Sequence, residues 1–322
     1  MIAASIGTID SVYHPPAGSN IIVTEGNSGR AYIWYTQDAT TWTNVAFLTE
    51  PGVYPLTDSV WSSYFNKFFV CAEQSSSKPG WSSSSDAITW TDSATVTTRN
   101  WELITQFGTG GSTKLCTLAS NFSALSTDGS TWTEYASGPV LPNSMVWAAA
   151  LGKLVVPTGY STYTSYTSTN GYTWTGSNSL PYKVDGYKSV AWSASLGLLV
   201  TVKASTVVGT CIYTSTDGIT WTARTATLAK KWKSVAWSPT LGMFIIVGKD
   251  TDDSATTQYM YSYNGITWYT GAIDNQVWNL VIWSDSLKSF VAKSSTIVAQ
   301  SVDGLTWTYS TVSIGSTSMS SK

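Results

Sequence analysis

A seven-residue phrase of the type Ser-x-Asp-Gly-x-Thr-Trp recurs seven times along this chain. Its copies end at tryptophans that lie 39 to 48 residues apart: Trp42, Trp90, Trp132, Trp174, Trp221, Trp268 and Trp307. Self-similarity with a period of about 40 to 45 residues is typical of a propeller blade made of four short strands. Seven such units fill the 322 residues. The repeat therefore predicts an all-β fold, a seven-bladed β-propeller with four antiparallel strands in each blade.

Each repeat contains two hairpin signals, so we name its strands a to d. The first signal is an apolar run with a tryptophan, a short turn and a second apolar run, as in SVAWSPTLGMFIIV at residues 234–247. The second is the Asp-Gly turn between strands c and d, where glycine adopts a positive φ and the Asp or Asn side chain accepts backbone N–H groups. The acidic or amide residues of these turns are Asp38, Asp86, Asp128, Asn170, Asp217, Asn264 and Asp303. Ala39 and Ala87 replace the glycine in the first two copies, which predicts a modified turn there.

The repeat also predicts the limits of the domain. One propeller is expected over residues 1–312, with blades at about residues 9–50, 56–98, 101–138, 142–182, 187–228, 232–273 and 278–312. Each blade is then one continuous segment of chain. Residues 313–322 contain too little apolar surface to pack, so we expect a flexible tail. Ile2–Thr8 is expected to add to the last blade and lock the ring, because exposed strand edges are a liability.

Aromatic residues recur in a third register, five residues before the strand-a tryptophan. Its members are Trp101, Tyr187, Trp232 and Trp278. Because d-to-a connections reach one mouth of a propeller channel, the last three would form an aromatic arc on blades 5 to 7. Flat aromatic faces with polar neighbours such as Lys231 suit sugar rings. The same register is also typical of packing between blades, which is the simpler interpretation, and both interpretations are open at this stage.

The phrases at residues 126–132 (STDGSTW) and 215–221 (STDGITW) resemble the Asp box of sialidase-type (BNR-like) propellers. The resemblance implies a structural hairpin on the outer side of each blade, away from the active site. It would also imply three arginines that converge on a substrate carboxylate. The chain has only Arg30, Arg99 and Arg224, and none of them begins a first strand. In its Ser-, Thr- and Trp-rich style the chain is also similar to tail-fibre and decoration proteins of tailed-phage virions.

Composition argues against several classes of function. Charged residues make up 11% of the chain with a net charge of −2, which does not fit the basic footprint of a nucleic-acid-binding protein. One histidine, His14, excludes a multi-histidine metal site, and the spacing of Cys71, Cys116 and Cys211 matches no metal motif. No apolar stretch is long enough to insert into a membrane, and the first residues do not form a secretory signal. We therefore expect no catalytic residue, no metal and no cofactor.

These observations together predict a non-enzymatic structural or binding propeller. The expected setting is the virion of a tailed phage, as a tail fibre, a tail-associated protein or a capsid decoration protein made in the host cytoplasm. Its partners would be other virion proteins and host-surface glycans. The alternatives are a glycoside hydrolase of the sialidase superfold, which needs paired carboxylates at a defined separation, and a free-standing lectin or adhesin.

Overall fold

The fold is known from a computed structural model that describes residues 21–27, 30–47, 56–73, 80–94, 99–158, 163–181, 186–204, 209, 211–311 and 318–321. Within these residues, 28 strands form seven four-stranded antiparallel sheets. The predicted all-β, seven-bladed propeller is confirmed. Each sheet follows the predicted order a-b-c-d, and six of the seven sheets use consecutive strands of the chain.

The strands of the first four blades, each given from strand a to strand d, are as follows. Blade 1 consists of β28 (Ser318–Ser321), β1 (Ile21–Asn27), β2 (Arg30–Thr36) and β3 (Thr43–Phe47). Blade 2 consists of β4 (Leu56–Ser62), β5 (Lys67–Ala72), β6 (Trp81–Ser84) and β7 (Thr91–Asp92). Blade 3 consists of β8 (Leu103–Phe107), β9 (Lys114–Ala119), β10 (Phe122–Ser126) and β11 (Thr133–Tyr135). Blade 4 consists of β12 (Val146–Ala148), β13 (Lys153–Pro157), β14 (Ser165–Ser168) and β15 (Thr175–Ser177).

The remaining three blades follow the same pattern. Blade 5 consists of β16 (Tyr187–Ser193), β17 (Leu198–Lys203), β18 (Ile212–Ser215) and β19 (Thr222–Arg224). Blade 6 consists of β20 (Lys231–Ser238), β21 (Met243–Lys249), β22 (Thr256–Ser262) and β23 (Tyr269–Gln276). Blade 7 consists of β24 (Leu280–Ser284), β25 (Ser289–Lys293), β26 (Ile297–Ser301) and β27 (Thr308–Thr311). Two short 3-10 turns, Gly110–Ser112 and Ala149–Leu151, lie between strands a and b of blades 3 and 4.

The ring closes with the C-terminal end of the chain, which corrects two predictions. The tail was expected to be flexible, but Ser318–Ser321 forms β28, the innermost strand of blade 1, and pairs with β1. Blade 1 is therefore not one continuous segment. Sequence reasoning failed because it counted apolar residues, whereas this short strand gains its stability from ladder hydrogen bonds and one buried apolar side chain, Met319. The predicted lock by Ile2–Thr8 and the placement of His14 lie outside the described residues.

Among the described residues, seven hydrophobic clusters form the core, and each lies between two neighbouring blades. The cluster between blades 5 and 6, for example, joins Val200 of strand b to Trp237, Phe244 and Trp268 of the next blade. Tryptophans of the strand-a register and of the Asp-Gly turns recur in these clusters. Large aromatic side chains bury about 150–250 Å² each, which suits the wedge-shaped space between blades. The core of this propeller is thus divided into seven contacts between blades rather than gathered in one centre.

Hydroxyl groups join the inner strands of neighbouring blades around the channel. Ser189 Oγ accepts the N–H of Val235 at 3.2 Å and donates to its carbonyl at 3.4 Å. Ser234 Oγ makes the same two bonds with Val281, at 3.1 and 3.2 Å. In blade 2, Asp58 accepts an N–H of β8 at 3.0 Å in the same register. These contacts satisfy backbone groups that strand a cannot pair within its own sheet.

The antiparallel order gives the propeller two different faces. The a-to-b and c-to-d turns lie on one side, which we call the turn face. The b-to-c loops and d-to-a connections lie on the other, which we call the mouth face because the inner strands begin there. Any binding site that this fold builds must use one of these faces or the outer strands.

Candidate functional site

The c-to-d turns, which we call box turns, share one hydrogen-bond pattern in the seven blades. In blade 3, Asp128 Oδ1 accepts the N–H groups of Ser130 and Thr131 at 2.8 and 2.7 Å. Ser126 Oγ donates to the same oxygen at 3.1 Å and accepts the N–H of Gly129 at 2.8 Å. The equivalent carboxylates and amides of the other blades accept the same pair of N–H groups. The predicted role of these residues as structural turn residues fits this geometry.

The prediction that blades 1 and 2 have a modified turn is wrong. Ala39 and Ala87 adopt φ values of 62° and 63°, in the same left-handed region as the box glycines, whose φ values run from 69° to 82°. Both methyl groups are buried against the preceding blade. The hydrogen bonds of Asp38 and Asp86 hold the turn strongly enough to keep an L-residue in the left-handed region, where it costs about 1–2 kcal/mol.

The same bonds lower the pKa of the box carboxylates. Slight burial raises the pKa of Asp128, but the N–H groups of Thr131 and Ser130 stabilise the charged form and bring the pKa to about 2. At Asp303 the N–H groups of the turn are the main cause, and the pKa is also about 2. The charged carboxylates are thus part of the turn structure at neutral pH.

The aromatic arc on the mouth face does not form a ligand platform. Trp101, Tyr187, Trp232 and Trp278 are all 0% exposed and belong to the clusters between blades. Since no face of these rings reaches solvent, a sugar could not stack on them. The alternative of packing between blades accounts for their position.

Backbone contacts of the arc residues also join neighbouring blades. The N–H of Trp101 donates to the carbonyl of Ala72 at 3.3 Å, and the N–H of Trp278 donates to the carbonyl of Gly248 at 3.0 Å. In each case the acceptor lies at the end of strand b of the preceding blade. The residues of this register therefore hold neighbouring blades together.

Lys231 was also expected to contact ligand, and it is engaged with acidic side chains of the b-to-c loop. Its Nζ lies 2.9 Å from Asp253 Oδ1, which Lys249 Nζ also approaches to 2.6 Å. Lys230 Nζ lies 2.6 Å from Asp250 Oδ2. These ion pairs pin the loop of blade 6 to the beginning of its inner strand. Lys231 keeps about a quarter of its side chain exposed, at 26%.

The arc register continues at Leu56 in blade 2 and at Pro142 in blade 4, and in six blades the residue that follows it is polar and lies where the inner strand begins. We call these residues the mouth ring: Thr57, Glu102, Asn143, Lys188, Lys233 and Asn279. Thr57, Lys188 and Lys233 each lie at a β-bulge, because the pairing of strands a and b shifts register there. A bulge adds an unpaired residue to the strand and re-aims its side chain. Sequence reasoning missed this ring, although the polar register one residue beyond the aromatic one was visible.

The mouth ring carries charges of both signs on different blades. Burial, together with a smaller effect of the nearby charge of Glu73, raises the pKa of Glu102 to about 7. On the other side of the ring, Lys188 and Lys233 are half-buried. The mouth therefore has an acidic side at blades 2 and 3 and a basic side at blades 5 and 6.

Arg99 and Arg224, the arginines whose side chains the structure describes, make separate contacts on different blades. Arg99 Nε lies 2.9 Å from Glu134 Oε2, and the Arg99 guanidinium covers the ring of Phe122. Arg224 Nε donates to Thr214 Oγ1 at 2.8 Å on blade 5. Arg30 begins β2 on blade 1. Three blades thus hold the three arginines.

The described residues offer neither a metal site nor an activated thiol. No group of three or more His, Cys, Asp or Glu side chains there could hold a metal ion. Burial raises the pKa of the thiols of Cys71 and Cys116, and raises that of Cys211 to about 11. Thiols in this state are poor nucleophiles at neutral pH. No helix in the described ranges has the length and apolar character to cross a membrane.

Known proteins resemble this chain in fold but not in sequence. No protein-family model and no curated protein sequence matches this chain. The Saccharomyces cerevisiae Sqt1 structure matches with a TM-score of 0.61 and 9% identity, over 98% of this chain and 90% of that chain. A streptogramin B lyase structure matches with a TM-score of 0.59 and 12% identity, over 87% of this chain and 92% of that chain. A chain of a nidogen/laminin complex matches with a TM-score of 0.54 and 10% identity, over 94% of this chain and 98% of that chain. At such identities the similarity shows the propeller fold alone.

Proposed function

We propose that this chain is a non-enzymatic binding propeller of a tailed-phage particle, attached to another particle protein through its turn face. One observation carries the proposal. The residue two positions after the box Asp or Asn exposes an apolar or aromatic side chain in five blades. These residues are Ile88, Tyr172, Ile219, Ile266 and Leu305, with exposed fractions between 38% and 51%.

Blades 6 and 7 carry the largest share of this apolar surface. Tyr263 and Val302, at the other variable position of the box turn, are 50% and 66% exposed. Tyr269 and Tyr309 on the outer strands add exposed rings beside them. Single exposed apolar residues are ordinary, but apolar side chains repeated at one position of one face suit contact with another protein. This exposed apolar surface also suits a chain with few charged residues, whose solubility comes from Ser and Thr.

The fold comparison is in keeping with a binding role. Some of the similar propellers come from structures of assemblies, a nidogen/laminin complex and a mitotic checkpoint complex. The streptogramin B lyase shows that a propeller also carries catalysis in that protein. The propeller fold is therefore compatible with binding and with catalysis alike.

The runner-up function is a glycoside hydrolase of the sialidase superfold. The observation that favours it is Glu102, whose pKa of about 7 would suit a general acid, with Glu73 as a second carboxylate on the same face. A screen of glycoside substrates would detect such an activity. Turnover that Glu102→Gln abolishes, at unchanged melting temperature, would establish the hydrolase and overturn the binding proposal.

The proposal is tested directly by asking whether the protein is a component of particles. Particles are purified from the source lysate, the chain is quantified by mass spectrometry, and its position is imaged by electron microscopy. We expect a fixed number of copies in each particle, with the turn face against a neighbouring protein. Recovery of the chain only as a free protein would overturn the virion assignment.

A pair of variants tests the attachment face. Ile266→Ser combined with Leu305→Ser should lower incorporation into particles at least fivefold while leaving the melting temperature unchanged. Leu141→Ser is the matched control, because Leu141 is 47% exposed but lies in a d-to-a connection on the mouth face. Equal incorporation of both variants would show that the turn face is not the attachment surface.

A further inference from the structure

The box tryptophan is followed by an exposed threonine in six of the seven blades and by a tyrosine in blade 6. The threonines are Thr43, Thr91, Thr133, Thr175, Thr222 and Thr308. In blade 6 the position holds Tyr269, whose side chain is 48% exposed. The six threonines show that a blade does not need an aromatic residue here to complete its packing. Tyr269 is therefore a feature of blade 6 and not of the repeat.

A second tyrosine departs from the repeat in the next blade. Tyr309, the second residue after the box tryptophan of blade 7, is 46% exposed. The other six blades carry small, polar or charged residues at this position: Asn44, Asp92, Glu134, Gly176, Ala223 and Thr270. The two exceptional tyrosines lie in consecutive blades, so the repeat itself singles out one place on the outer rim of the propeller.

Tyr269 and Tyr309 approach the same gap between blades from opposite sides. Tyr269 pairs with Tyr261 across β22 and β23, and Tyr261 packs against the hydrophobic cluster between blades 6 and 7. The face of β23 that carries Tyr269 is therefore turned toward blade 7. Tyr309 reaches in the other direction, since its Oη accepts the N–H of Asp274 on blade 6 at 3.0 Å. We call the gap between β23 and β27 the outer crevice.

Neighbouring side chains hold the tyrosines of the outer crevice in place. The rings of Tyr261 and Tyr269 are stacked, with centroids 5.4 Å apart and an interplanar angle of 28°. Tyr263 packs edge-on against Tyr261 at an angle of 82°. The hydrogen bond to the Asp274 N–H fixes the outer end of the Tyr309 ring. Because these rings are ordered before a ligand arrives, binding to them costs little conformational entropy.

The charges around the outer crevice favour a neutral ligand over an acidic one. Strands c and d of blades 6 and 7, with their box turns, occupy residues 256–276 and 297–311. These two segments contain no lysine or arginine, and their charged residues are Asp274 and Asp303. Asp303 is engaged in its box turn, whereas the exposed carboxylate of Asp274 can accept hydrogen bonds from hydroxyl groups beside Tyr309.

We propose that the outer crevice binds a neutral, β-linked saccharide of gluco configuration, with its sugar rings stacked on Tyr269 and Tyr309. Pyranose rings of this configuration carry their hydroxyl groups at equatorial positions, so both ring faces consist of apolar C–H groups. Such rings suit aromatic faces that come from two sides, while their hydroxyls bond to the phenol groups and to Asp274. A galactose ring, whose axial O4 makes one face polar, fits less well. The inference goes beyond the proposed function and holds for the isolated chain.

The test uses the full chain and defined saccharides. Cellotetraose, chitotetraose and β-1,4-galactotetraose are titrated calorimetrically at 150 and 500 mM NaCl. We expect a gluco-configured tetramer to bind with a Kd below about 1 mM, at least about fivefold tighter than galactotetraose. Salt should not weaken this binding, because no ion pair is formed. Absence of binding by both gluco-configured tetramers at about 5 mM would overturn the proposal.

Choline chloride is titrated in parallel, because aromatic rings beside a carboxylate also suit a quaternary ammonium ion. Choline that binds tighter than the saccharides and competes with them would overturn the proposal in favour of a cation site. Saccharide binding that choline does not displace would support it.

Matched variants separate the outer crevice from other exposed tyrosines. Tyr269→Thr gives blade 6 the residue of the other six blades, so it should weaken saccharide binding about tenfold or more at a nearly unchanged melting temperature. Tyr269→Phe keeps the ring and should weaken binding less than about threefold. Tyr64→Thr is the control, because Tyr64 is 49% exposed but lies in the a-to-b turn of blade 2. Equal weakening by Tyr269→Thr and Tyr64→Thr, or no weakening by either, would overturn the inference.

Tyr269 also lies beside the attachment surface of the turn face, and particle incorporation tells the two roles apart. Tyr269→Thr chains that enter particles at normal copy number but no longer bind the saccharide would support a separate saccharide site. Chains that bind the saccharide normally but are lost from particles would assign Tyr269 to the contact with the particle protein and refute the inference. Absence of the wild-type chain from particles would refute the virion assignment and leave the calorimetric result in force.

Discussion

At the scale of single residues, the box turn shows how a short phrase fixes the joint between two blades. The residue after the Asp or Asn must adopt a positive φ, and its α-carbon lies against the preceding blade. At Gly218, an added β-carbon would lie 2.9 Å from Val155 Cγ2 and 3.1 Å from Thr167 Cγ2. Both neighbours are β-branched and stiff, so they cannot turn away at low cost. Small size and left-handed backbone are therefore required together at this position.

Gly218→Ala should consequently destabilise the protein by about 2–5 kcal/mol, the sum of left-handed strain and overpacking. Gly242→Ala is the matched control, because Gly242 also has a positive φ, of 62°, but has open space around it. That variant should cost only the left-handed strain, about 1–2 kcal/mol. Urea unfolding followed by tryptophan fluorescence measures both values. Equal costs would show that the contact between blades contributes nothing at this turn.

The box carboxylates predict how stability depends on pH. The pKa values of Asp38, Asp128 and Asp303 are about 2 in the folded protein, below the ordinary value for aspartate of about 3.9. The stability that they contribute is therefore complete above about pH 4 and is lost as the pH falls toward about 2. Asn170 and Asn264 make the same turn bonds without a charge.

A triple variant with Asn at Asp38, Asp128 and Asp303 should therefore lose less stability between pH 5 and pH 2.5 than the wild type. The measurement compares urea midpoints at the two pH values. Asp274→Asn, a change at an exposed aspartate outside the box turns, should leave the wild-type pH dependence in place. If the triple variant is as sensitive to acid as the wild type, the box carboxylates are not the groups that couple folding to protons.

At the scale of strands and turns, the sequence predicted the repeated hairpins and box turns, but it did not predict which side chains are buried between blades. The period, the hairpins and the box turns follow from local chemistry, so the phrases alone specify them. Whether Trp232 faces ligand or lies between blades depends on the bulge at Lys233 and on the strand of the neighbouring blade. The period of the repeat carries no information about either. For this reason the sequence left both interpretations of the aromatic register open and did not predict the mouth ring.

The serine contacts between inner strands provide a test at this scale. Ser234→Ala would leave the buried N–H and carbonyl of Val281 without their side-chain partner, at a cost of about 1–3 kcal/mol. Ser144 is the matched control, since it lies in the same register of blade 4 and is equally buried. Among the described residues, its hydroxyl has no hydrogen-bond partner. Ser144→Ala should be neutral or stabilising, and a loss of stability there as large as that of Ser234→Ala would refute a specific role for the contacts.

At the scale of the whole molecule, the ring depends on a strand of four residues. β28 fills the inner position of blade 1 and contacts both neighbours, with Ser318 Oγ 3.0 Å from Ser59 Oγ and Ser321 Oγ 2.7 Å from Ser284 Oγ. Six blades close their own sheets, whereas blade 1 needs a segment from the other end of the chain. Closure therefore couples the two ends of the chain through one short ladder and the buried side chain of Met319.

Removing residues 318–322 should open the ring. It exposes the inner edge of β1 and leaves a cavity where Met319 was buried, so the loss should exceed the roughly 2–5 kcal/mol expected for Met319→Ala alone. Hydrogen exchange should then lose protection first at the backbone amides of β1, because an unpaired edge is open to solvent. A synthetic peptide of residues 313–322, added in trans, should restore that protection by occupying the same position. Deletion of residues 2–8 tests the other candidate lock: if that deletion opens β1 and the C-terminal deletion does not, the ring is held from the N-terminal end and closure by β28 is refuted.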